Sequence, residues 1–322
     1  MWYDNITELT GNTPLVKLNK VVDNVKATIL VKIEFFNPGG SIKDRMVFYI
    51  LRDAERQREL RPGGTIIENT SGNTGAAAAM YGAINQYKMI FTIPDKMSKR
   101  KVDFLKALGA EVIVCPTCIP HDSPESYHTV AKRILAETPN SYMINQYHNQ
   151  KNVEAQYTTL GPEIWEQTNG KIDYFVAGVG TGGTISGVGK FLKEKNPKIK
   201  VIGVDPIGSL FYSYFKEKKI TEFKLYMVEG IGMEIICDCV HFDIMDDMLQ
   251  VTDKDAFLMA RRLLKEEGIF VGGSSGAAVW GALQVAKNLT EDKVVVTVLP
   301  DNGYNYINKI YNDEWMREKG FI

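Results

Sequence analysis

Four loops rich in Gly, Ser and Thr carry most of the residues in this chain that could bind an anion or take part in catalysis. Each follows a predicted strand or opens a predicted helix; they are Asn37–Lys43, Thr70–Gly75, Gly180–Thr184 and Gly272–Gly276. The start of a helix presents unpaired backbone N–H groups and a positive dipole end to a phosphate or carboxylate. One such loop is weak evidence, but four at strand-to-helix junctions predict one composite site around an anionic ligand.

Lys43 stands directly after Gly39-Gly40-Ser41 and begins a predicted helix with Asp44. Most lysines in a first helical turn are simply solvated, although a cation is slightly unfavourable at that end of a helix. A lysine in a partly buried site has a lowered pKa and can form a Schiff base with a carbonyl ligand. Lys43 is therefore a candidate for covalent chemistry.

The second and fourth loops each allow two interpretations. The hydroxyls of Thr70, Ser71 and Thr74 could bind a carboxylate, or they could only cap the helix that follows. Ser274 in the fourth loop is either another helix cap or the hydroxyl partner of a ring nitrogen. Local physical chemistry leaves both pairs of interpretations open.

The third loop has the strongest local signal for a phosphate. Its glycines let backbone N–H groups approach the anion, and Thr181 and Thr184 add hydroxyl donors. The helix after the loop directs its positive end at the same place.

The same loop also fits a dinucleotide fingerprint. Gly178, Gly180 and Gly183 spell G-x-G-x-x-G, and Asp205 ends the next predicted strand where such proteins place the acid that binds a ribose. This pattern indicates a nicotinamide or flavin oxidoreductase, or a nucleotide-binding module. It explains neither the other three loops nor Lys43.

The elements that must position these loops alternate between strands and helices, which predicts an α/β fold with mostly parallel sheets. The predicted strands are Thr28–Ile33, Thr65–Glu68, Lys88–Ile93, Glu111–Cys115, Tyr174–Ala177, Lys200–Val204 and Lys293–Leu299. The predicted helices are Asp44–Glu59, Gly75–Asn85, Lys99–Leu108, Pro124–Glu137, Gly183–Lys195, Asp253–Glu267 and Gly276–Asn288. Residues 208–247 show no clear helical period, and long irregular segments are often functional.

Length and charge exclude several classes of protein. The chain has 322 residues, 44% of them hydrophobic, and a net charge of −1, so we expect a large core and no general attraction to nucleic acid or membranes. It has no long apolar run and no signal peptide, so a cytoplasmic protein is expected. The four cysteines form Cys115-x-x-Cys118 and Cys237-x-Cys239, a poor match to zinc sites, so we expect free thiols and no metal.

Together these motifs resemble the family of cystathionine β-synthases and cysteine synthases, the fold type II pyridoxal-phosphate enzymes. The likeness covers nearly the whole chain and includes Thr10–Leu15, Phe36–Arg45, the four loops in order and Leu299-Pro300-Asp301. It is closer to the catalytic core of the cystathionine β-synthases, to which Asp122–Ser126, Glu229–Gly232 and Trp315–Phe321 are similar.

The resemblance implies two α/β domains, each a mostly parallel sheet flanked by helices, with the cofactor between them. A small mobile domain of residues 35–145 would close over the substrate, and residues 1–34 plus 146–322 would form the large cofactor-binding domain. The protein would be a homodimer. No haem-binding extension precedes residue 1 and no regulatory domain pair follows residue 322, so control by those routes is not expected.

The resemblance also assigns roles to individual residues. Lys43 would hold pyridoxal 5′-phosphate as a Schiff base and later move the α-proton. The other residues implied to bind the cofactor are Asn73 at its phenolic oxygen, Gly180, Thr181, Gly182, Gly183 and Thr184 at its phosphate, and Ser274 at its pyridine nitrogen. The residues implied to bind the substrate are Thr70, Ser71, Gly72, Thr74, Gln146, Gly230 and Met233.

The implied reaction is β-replacement on L-serine, O-acetyl-L-serine or L-cysteine by a thiol, either homocysteine or sulfide, through an aminoacrylate. The alternatives within the family are a cysteine synthase and a cysteine β-lyase that releases hydrogen sulfide. A non-catalytic protein with the same fold is disfavoured because Lys43 and Asn73 are intact.

Met233-Glu234 departs from the family, whose cystathionine β-synthases usually have tyrosine and then aspartate after Gly-Ile-Gly. We hypothesise that this pair tunes the choice of donor and acceptor, since methionine offers a polarizable surface to sulfur compounds. Glu234 could act as a catalytic base if burial raises its pKa. The alternative is that Met233 packs in the core and Glu234 points to solvent.

Overall fold

The computed structural model describes residues 2–70, 72–95, 99–116, 119–120 and 123–322, with backbone alone at 100 and 101. Ser71, Cys118 and Asp122, which the sequence analysis named, lie outside these residues. The chain forms two compact units. Unit 1 comprises Met1–Thr10, Asn37–Gly39 and Lys43–Asn152, and unit 2 comprises Gly11–Phe36, Gly40–Ile42 and Val153–Ile322.

Unit 1 is built on a four-stranded sheet in the order β5-β4-β3-β6, with every pair parallel. Its strands are β3 (Thr65–Asn69), β4 (Lys88–Pro94), β5 (Glu111–Cys115) and β6 (Ser141–Met143). Its helices are α1 (Lys43–Arg56), α2 (Asn73–Asn85), α3 (Lys99–Ala107) and α4 (Tyr127–Glu137). The central strands β3 and β4 are largely buried, as expected for parallel strands covered by helices.

Unit 2 is built on a six-stranded sheet in the order β1-β2-β10-β7-β8-β9, in which only the edge strand β1 runs antiparallel to its neighbour. Its strands are β1 (Leu15–Lys17), β2 (Thr28–Ile33), β7 (Tyr174–Gly178), β8 (Lys200–Pro206), β9 (Asp247–Val251) and β10 (Val294–Leu299). The remaining helices are α5 (Lys151–Thr158), α6 (Leu160–Gln167), α7 (Gly183–Lys195), α8 (Phe211–Glu217), α9 (Asp253–Glu267), α10 (Gly273–Ala286) and α11 (Asp313–Glu318). Helix α5 begins in unit 1 and continues into unit 2.

The predicted α/β architecture with mostly parallel sheets is confirmed. All seven predicted strands and all seven predicted helices are present; four of them have the predicted ends, and the others are shifted at one or both ends. Strands β1, β6 and β9 and helices α5, α6, α8 and α11 were not predicted. Strands β1 and β6 have three residues each, which give too little pattern, and the seven residues of α8 are mostly aromatic. None of the helices that the structure describes combines the length and apolar character that crossing a bilayer requires.

The contact-based units differ in detail from the predicted domains, 35–145 and 1–34 plus 146–322. The N-terminal residues group with unit 1, where Arg52 donates a hydrogen bond to Thr7 Oγ1 at 3.1 Å. Residues 146–152 also belong to unit 1. Closure of a small mobile domain over the substrate stays a prediction.

Candidate functional site

Lys43 is the first residue of α1 and is partly buried. The turn before it is fixed by Asp44, whose fully buried carboxylate accepts a hydrogen bond from Gly39 N–H at 2.5 Å. A Cβ atom at position 39 would overlap the same carboxylate, so the close approach requires glycine there. The acid at this helix start is favourable for the helix dipole. The sequence therefore gives Lys43 a defined backbone position.

The residues just before Lys43 belong to unit 2, and the chain crosses between the units at the bond from Ile42 to Lys43. Ile42 N–H donates to the carbonyl oxygen of Pro300 at 2.9 Å, and Ser41 pairs with Asp301. The Leu299-Pro300-Asp301 motif of the resemblance thus has a structural role, since it anchors the chain that leads into the lysine.

The second loop connects β3 to α2 and brings two predicted substrate residues together. Thr74 Oγ1 donates to Gln146 Oε1 at 2.8 Å, and both side chains are buried. Because the side-chain oxygen of Gln146 accepts from Thr74, the N–H groups of the same amide are the donors that suit a carboxylate. Thr70 is buried nearby in the chain, and Asn73 begins α2.

Glu68 is a residue of this region that the sequence analysis missed. It lies on β3 and is fully buried, and its Oε2 accepts a hydrogen bond from Asn145 N–H at 2.9 Å. Burial raises the pKa of Glu68 to about 7, against the opposing effect of the N–H groups of residues 144–146. The signal was a charged residue inside the apolar strand Thr65–Asn69, immediately before a Gly-rich loop.

The third loop, Gly180–Thr184, lies between β7 and α7 and passes very close to other backbone. Gly182 has a φ of +96°, and a Cβ there would lie 2.5 Å from the carbonyl group of Cys239. A Cβ at Gly180 would overlap the carbonyl oxygen of Gly230. Both positions require glycine, and the loop can therefore present backbone N–H groups and the threonine hydroxyls to an anion at the start of α7.

The loop is supported from behind by the segment around Cys239, another contact that the sequence analysis missed. Ser186 Oγ donates to the carbonyl oxygen of Cys239 at 2.7 Å and accepts from His241 N–H at 2.9 Å. Burial raises the pKa of Cys237 and of Cys239 to about 12. Both thiols are buried, and it is the backbone carbonyl of Cys239 that lies against Gly182. No group of three metal-binding side chains occurs among the described residues.

The fourth loop places Ser274 in the first turn of α10, with 3% of its surface exposed. A Cβ at Gly230 would lie 3.7 Å from Ser274 Oγ, so Gly230 passes directly beside the hydroxyl. Gly232 N–H donates to the carbonyl oxygen of Val179 at 2.7 Å. Within unit 2, Ser274, Gly230 and the Gly180–Thr184 loop are thus neighbours.

Met233 is partly buried and Glu234 is exposed. The hypothesis that Glu234 acts as a base depended on its burial, which this structure does not have. Met233 is held by unit 2, because its N–H donates to Ser209 Oγ at 3.0 Å and its carbonyl oxygen accepts from Leu210 N–H at 3.1 Å. A role of this pair in specificity stays a prediction.

Asp205 decides against the dinucleotide interpretation. Strand β7, helix α7 and strand β8 do form the unit in which G-x-G-x-x-G would bind a dinucleotide, since β7 and β8 pair in parallel. However, Asp205 is fully buried, and its Oδ2 accepts from the N–H of Tyr212 in α8 at 2.9 Å. A carboxylate that is buried and bonded to a helix does not reach a ribose.

The chemistry of these groups fits pyridoxal phosphate. The start of α7 suits a phosphate, the buried hydroxyl of Ser274 suits a pyridine nitrogen, and the amine of Lys43 suits an aldehyde. The crowding at Gly180 and Gly182 shows that these positions form a cradle that any side chain would fill.

Comparisons with known proteins agree with this fit. A sequence profile for the family described as "Pyridoxal-phosphate dependent enzyme" matches residues 6–301. The chain is 46% identical over 319 residues to a cystathionine beta-synthase of Dictyostelium discoideum, covering 99% of this chain and 64% of that protein. It is 46% identical over 320 residues to the cystathionine beta-synthase of Oryctolagus cuniculus, covering 99% of this chain and 58% of that protein.

A cysteine synthase is also similar over nearly the whole chain. Cysteine synthase 1 of Emericella nidulans is 38% identical over 322 residues, which cover 98% of this chain and 87% of that protein. The chain therefore spans less than two thirds of the cystathionine beta-synthases but most of the cysteine synthase.

Proposed function

Because this chain belongs to the pyridoxal-phosphate dependent enzymes, we propose that it catalyses β-replacement on a small amino acid with a thiol. The donor is L-serine, O-acetyl-L-serine or L-cysteine, and the thiol is homocysteine or sulfide. The bond from Cβ to the leaving group breaks and a bond from Cβ to sulfur forms. With serine and homocysteine the products are cystathionine and water; with O-acetylserine and sulfide they are cysteine and acetate.

The cofactor is pyridoxal phosphate, which when bound withdraws electrons from Cα of the amino acid and makes the α-proton acidic. In our proposal Lys43 Nζ holds the cofactor, accepts the proton from Cα and later returns it. Residues 180–184 would bind its phosphate, and Asn73 would donate to its phenolic oxygen. The proton of the thiol leaves with the departing group, so that the reaction is balanced.

The substrate carboxylate is proposed to bind at the Thr70–Thr74 loop and at Gln146. The hydroxyls and the amide of this group are donors that a carboxylate accepts. Thr74 and Gln146 support the assignment because their hydrogen bond of 2.8 Å is buried and orients the amide. Gly230 and Met233 are proposed as further substrate-binding residues, and Ser71 is proposed from the resemblance alone.

The observation that carries the proposal is the buried hydroxyl of Ser274 beside Gly230. A neutral hydroxyl at the ring nitrogen does not hold a full proton there, so less negative charge is drawn onto the ring. With the cofactor bound, the charge would stay available at Cα to expel the β-substituent. This favours β-replacement over racemisation or transamination.

Cysteine synthase activity is the second candidate, favoured by the match over 87% of the Emericella nidulans enzyme. A cysteine β-lyase that releases hydrogen sulfide is the third outcome, since it needs the same first half of the reaction. The three activities differ in which donor and which acceptor give product.

We further propose that the protein acts in the cytoplasm as a homodimer. Cys115, Cys237 and Cys239, the cysteines that the structure describes, form no disulfide with one another, as is usual in a reducing compartment. The homodimer is proposed from the resemblance alone. Light scattering on the purified protein measures the oligomeric state.

Mass spectrometry of the products tests the proposed function. The holoenzyme is given serine, O-acetylserine or cysteine, each with sulfide and with homocysteine. Cystathionine or newly formed cysteine is the expected product. Pyruvate and ammonia from every donor, with no thiol adduct, would show a lyase. The absence of any β-chemistry in a protein that holds the cofactor would overturn the proposal.

A further inference from the structure

We propose that Glu68 is a positioning residue for the substrate carboxylate, because its buried carboxylate fixes the turn at residues 144–146 and thereby orients Gln146. This inference rests on the proposed function, in which Gln146 binds that carboxylate. Glu68 would not touch the substrate itself. It would act through the backbone of the turn and the side chain of Gln146.

The turn at 144–146 has a conformation that needs support. Asn145 has a φ of +53°, in the left-handed region that residues other than glycine seldom adopt. Its N–H donates to Glu68 Oε2 at 2.9 Å, and the N–H groups of Ile144 and Gln146 also face the carboxylate. Bonds from backbone N–H groups to a carboxylate are about twice as strong as neutral ones.

The other contacts of Gln146 show what the turn holds in place. Its side-chain oxygen accepts from Thr74 Oγ1 at 2.8 Å, and its backbone oxygen accepts from Asn152 Nδ2 at 2.8 Å. Thr74 lies in α2, which follows β3 by way of the Gly-rich loop. Glu68 on β3 therefore holds the turn that carries Gln146, and Gln146 in turn contacts Thr74 after the loop that follows β3. Gln146 and this loop both belong to the proposed carboxylate site.

A carboxylate at this position is costly for stability, which indicates a functional reason for it. Glu68 is fully buried, and its Oε1 has no hydrogen-bond partner among the described residues. Burying a carboxyl group with an unsatisfied oxygen is unfavourable unless something else is gained. Glu68 forms no ion pair with any of the described residues.

Glu267 offers a matched control in unit 2. Its Oε1 accepts from the backbone N–H groups of Asn19, Lys20 and Val21 at 2.8, 2.5 and 2.9 Å. Like Glu68 it is a carboxylate that organises three consecutive N–H groups. The residues that it holds carry none of the proposed binding groups.

The test measures ligand affinity without relying on β-replacement. L-alanine has no β-leaving group, and L-alaninamide has the same side chain but no carboxylate. Each is titrated into the holoenzyme while the absorbance of the cofactor is recorded, for the wild type, Glu68→Gln and Glu267→Gln. We expect Glu68→Gln to weaken the binding of L-alanine at least tenfold and that of L-alaninamide less than threefold. Glu267→Gln should leave both within threefold.

Equal weakening of both ligands by Glu68→Gln, or no weakening of either, would overturn the inference, since a general loss of structure does not distinguish a carboxylate from an amide. If Glu68→Gln does not fold, Glu68→Asp keeps the charge and draws it back by one methylene. We then expect a several-fold loss for L-alanine alone. A protein that binds L-alanine in this way but forms no thiol adduct would contradict the proposed function and leave the role of Glu68 intact.

Discussion

The Gly-rich loops before α2 and α7 look alike in sequence but differ in how closely other backbone approaches them. A Cβ at Gly182 would lie 2.5 Å from the carbonyl group of Cys239, whereas a Cβ at Gly72 would meet no atom of the described residues within 4 Å. The loop of unit 2 is thus fixed by backbone from another segment of the same unit. The loop of unit 1 depends on side chains, of which Thr74 and Gln146 form its buried hydrogen bond.

The difference matches the two ligands that we propose. A cofactor phosphate stays bound through every turnover and suits a rigid cradle of backbone N–H groups. A substrate carboxylate arrives and leaves, and hydroxyl and amide side chains can adapt to it. The glycines of the two loops therefore differ in their surroundings. Gly180 and Gly182 allow close contact with other backbone, whereas Gly72 faces open space.

The largest effect is expected at Lys43, because neither loop supplies another amine for its proposed role. Lys43→Ala removes the amine that we propose as the proton carrier, so turnover should fall by at least about 10²–10⁴-fold. Steady-state assays measure the rate, and circular dichroism checks that the variant is folded. Normal rates in the variant, together with unchanged absorbance of the cofactor, would contradict the assignment.

The next effect sharpens the contrast between the two glycines. Gly182→Ala should weaken cofactor affinity at least tenfold, about 1.4 kcal/mol, because its φ of +96° and the nearby Cys239 backbone exclude a side chain. Gly72→Ala is the matched control and should change cofactor affinity less than threefold. Affinity is measured by adding pyridoxal phosphate back to the apoprotein. Equal losses in the two variants would remove the distinction between the loops.

A third prediction concerns what the cradle of unit 2 does to the cofactor after it has bound. Ser274→Asp should slow β-replacement at least about tenfold while cofactor affinity changes little, since a carboxylate would hold a proton on the ring nitrogen. The rate of product formation and the cofactor affinity are measured on the same preparation. An unchanged rate would leave Ser274 as a helix cap only.

A smaller effect separates the buried carboxylate of Glu68 in unit 1 from the partly buried carboxylate of Glu267 in unit 2. Folding raises the pKa of Glu68 from 4.5 to about 7, so its contribution to stability is present below pH 4.5 and is lost as the pH rises through 7. Between pH 6 and 8 the loss is on the order of 1 kcal/mol. Tyr142, whose pKa burial raises, stays neutral in this range.

Glu68→Gln should therefore make the free energy of unfolding less dependent on pH between 6 and 8. Glu267→Gln should keep the dependence of the wild type. Burial raises the pKa of Glu267, but the backbone N–H groups that it accepts from outweigh this effect, so the pKa is lowered and stays below this range. Urea unfolding at several pH values measures both. The same pH dependence in wild type and Glu68→Gln would be evidence against a raised pKa.

The smallest effect is expected at Met233, which unit 2 holds through Ser209 and Leu210. Met233→Tyr should change the ratio of rates among serine, O-acetylserine and cysteine by more than about threefold, roughly 0.65 kcal/mol. Glu234→Gln should change it less, since Glu234 is exposed. If Met233→Tyr leaves the ratios within threefold, this pair does not set specificity.

The sequence predicted the fold well because strands and helices alternate with clear apolar patterns. Strand β2 and helix α7 have the predicted ends, and the four loops stand at the predicted junctions. The elements that were missed are short or depend on tertiary contacts, such as β6, whose three residues gain their conformation from pairing with β3.

The candidate site was predictable where residue types are diagnostic and not where long-range contacts decide. Lys43 and Ser274 could be proposed from motifs and the resemblance, but Glu68 could not, because its contact is with a turn 77 residues further along the chain. The same holds for Ser186, which bonds to the backbone at Cys239. The burial on which a role of Glu234 as a base depends could not be read from its neighbours in the sequence, and the structure leaves Glu234 exposed.

Reductive trapping of the cofactor tests the central claim most directly. Borohydride reduces the carbon–nitrogen double bond between a lysine and the aldehyde carbon of pyridoxal phosphate to a stable amine. Proteolysis and mass spectrometry of the reduced wild-type protein then locate the modified lysine. Our account predicts that the pyridoxyl group is found on the peptide that contains Lys43. A pyridoxyl group on another lysine, with none on Lys43, would contradict it.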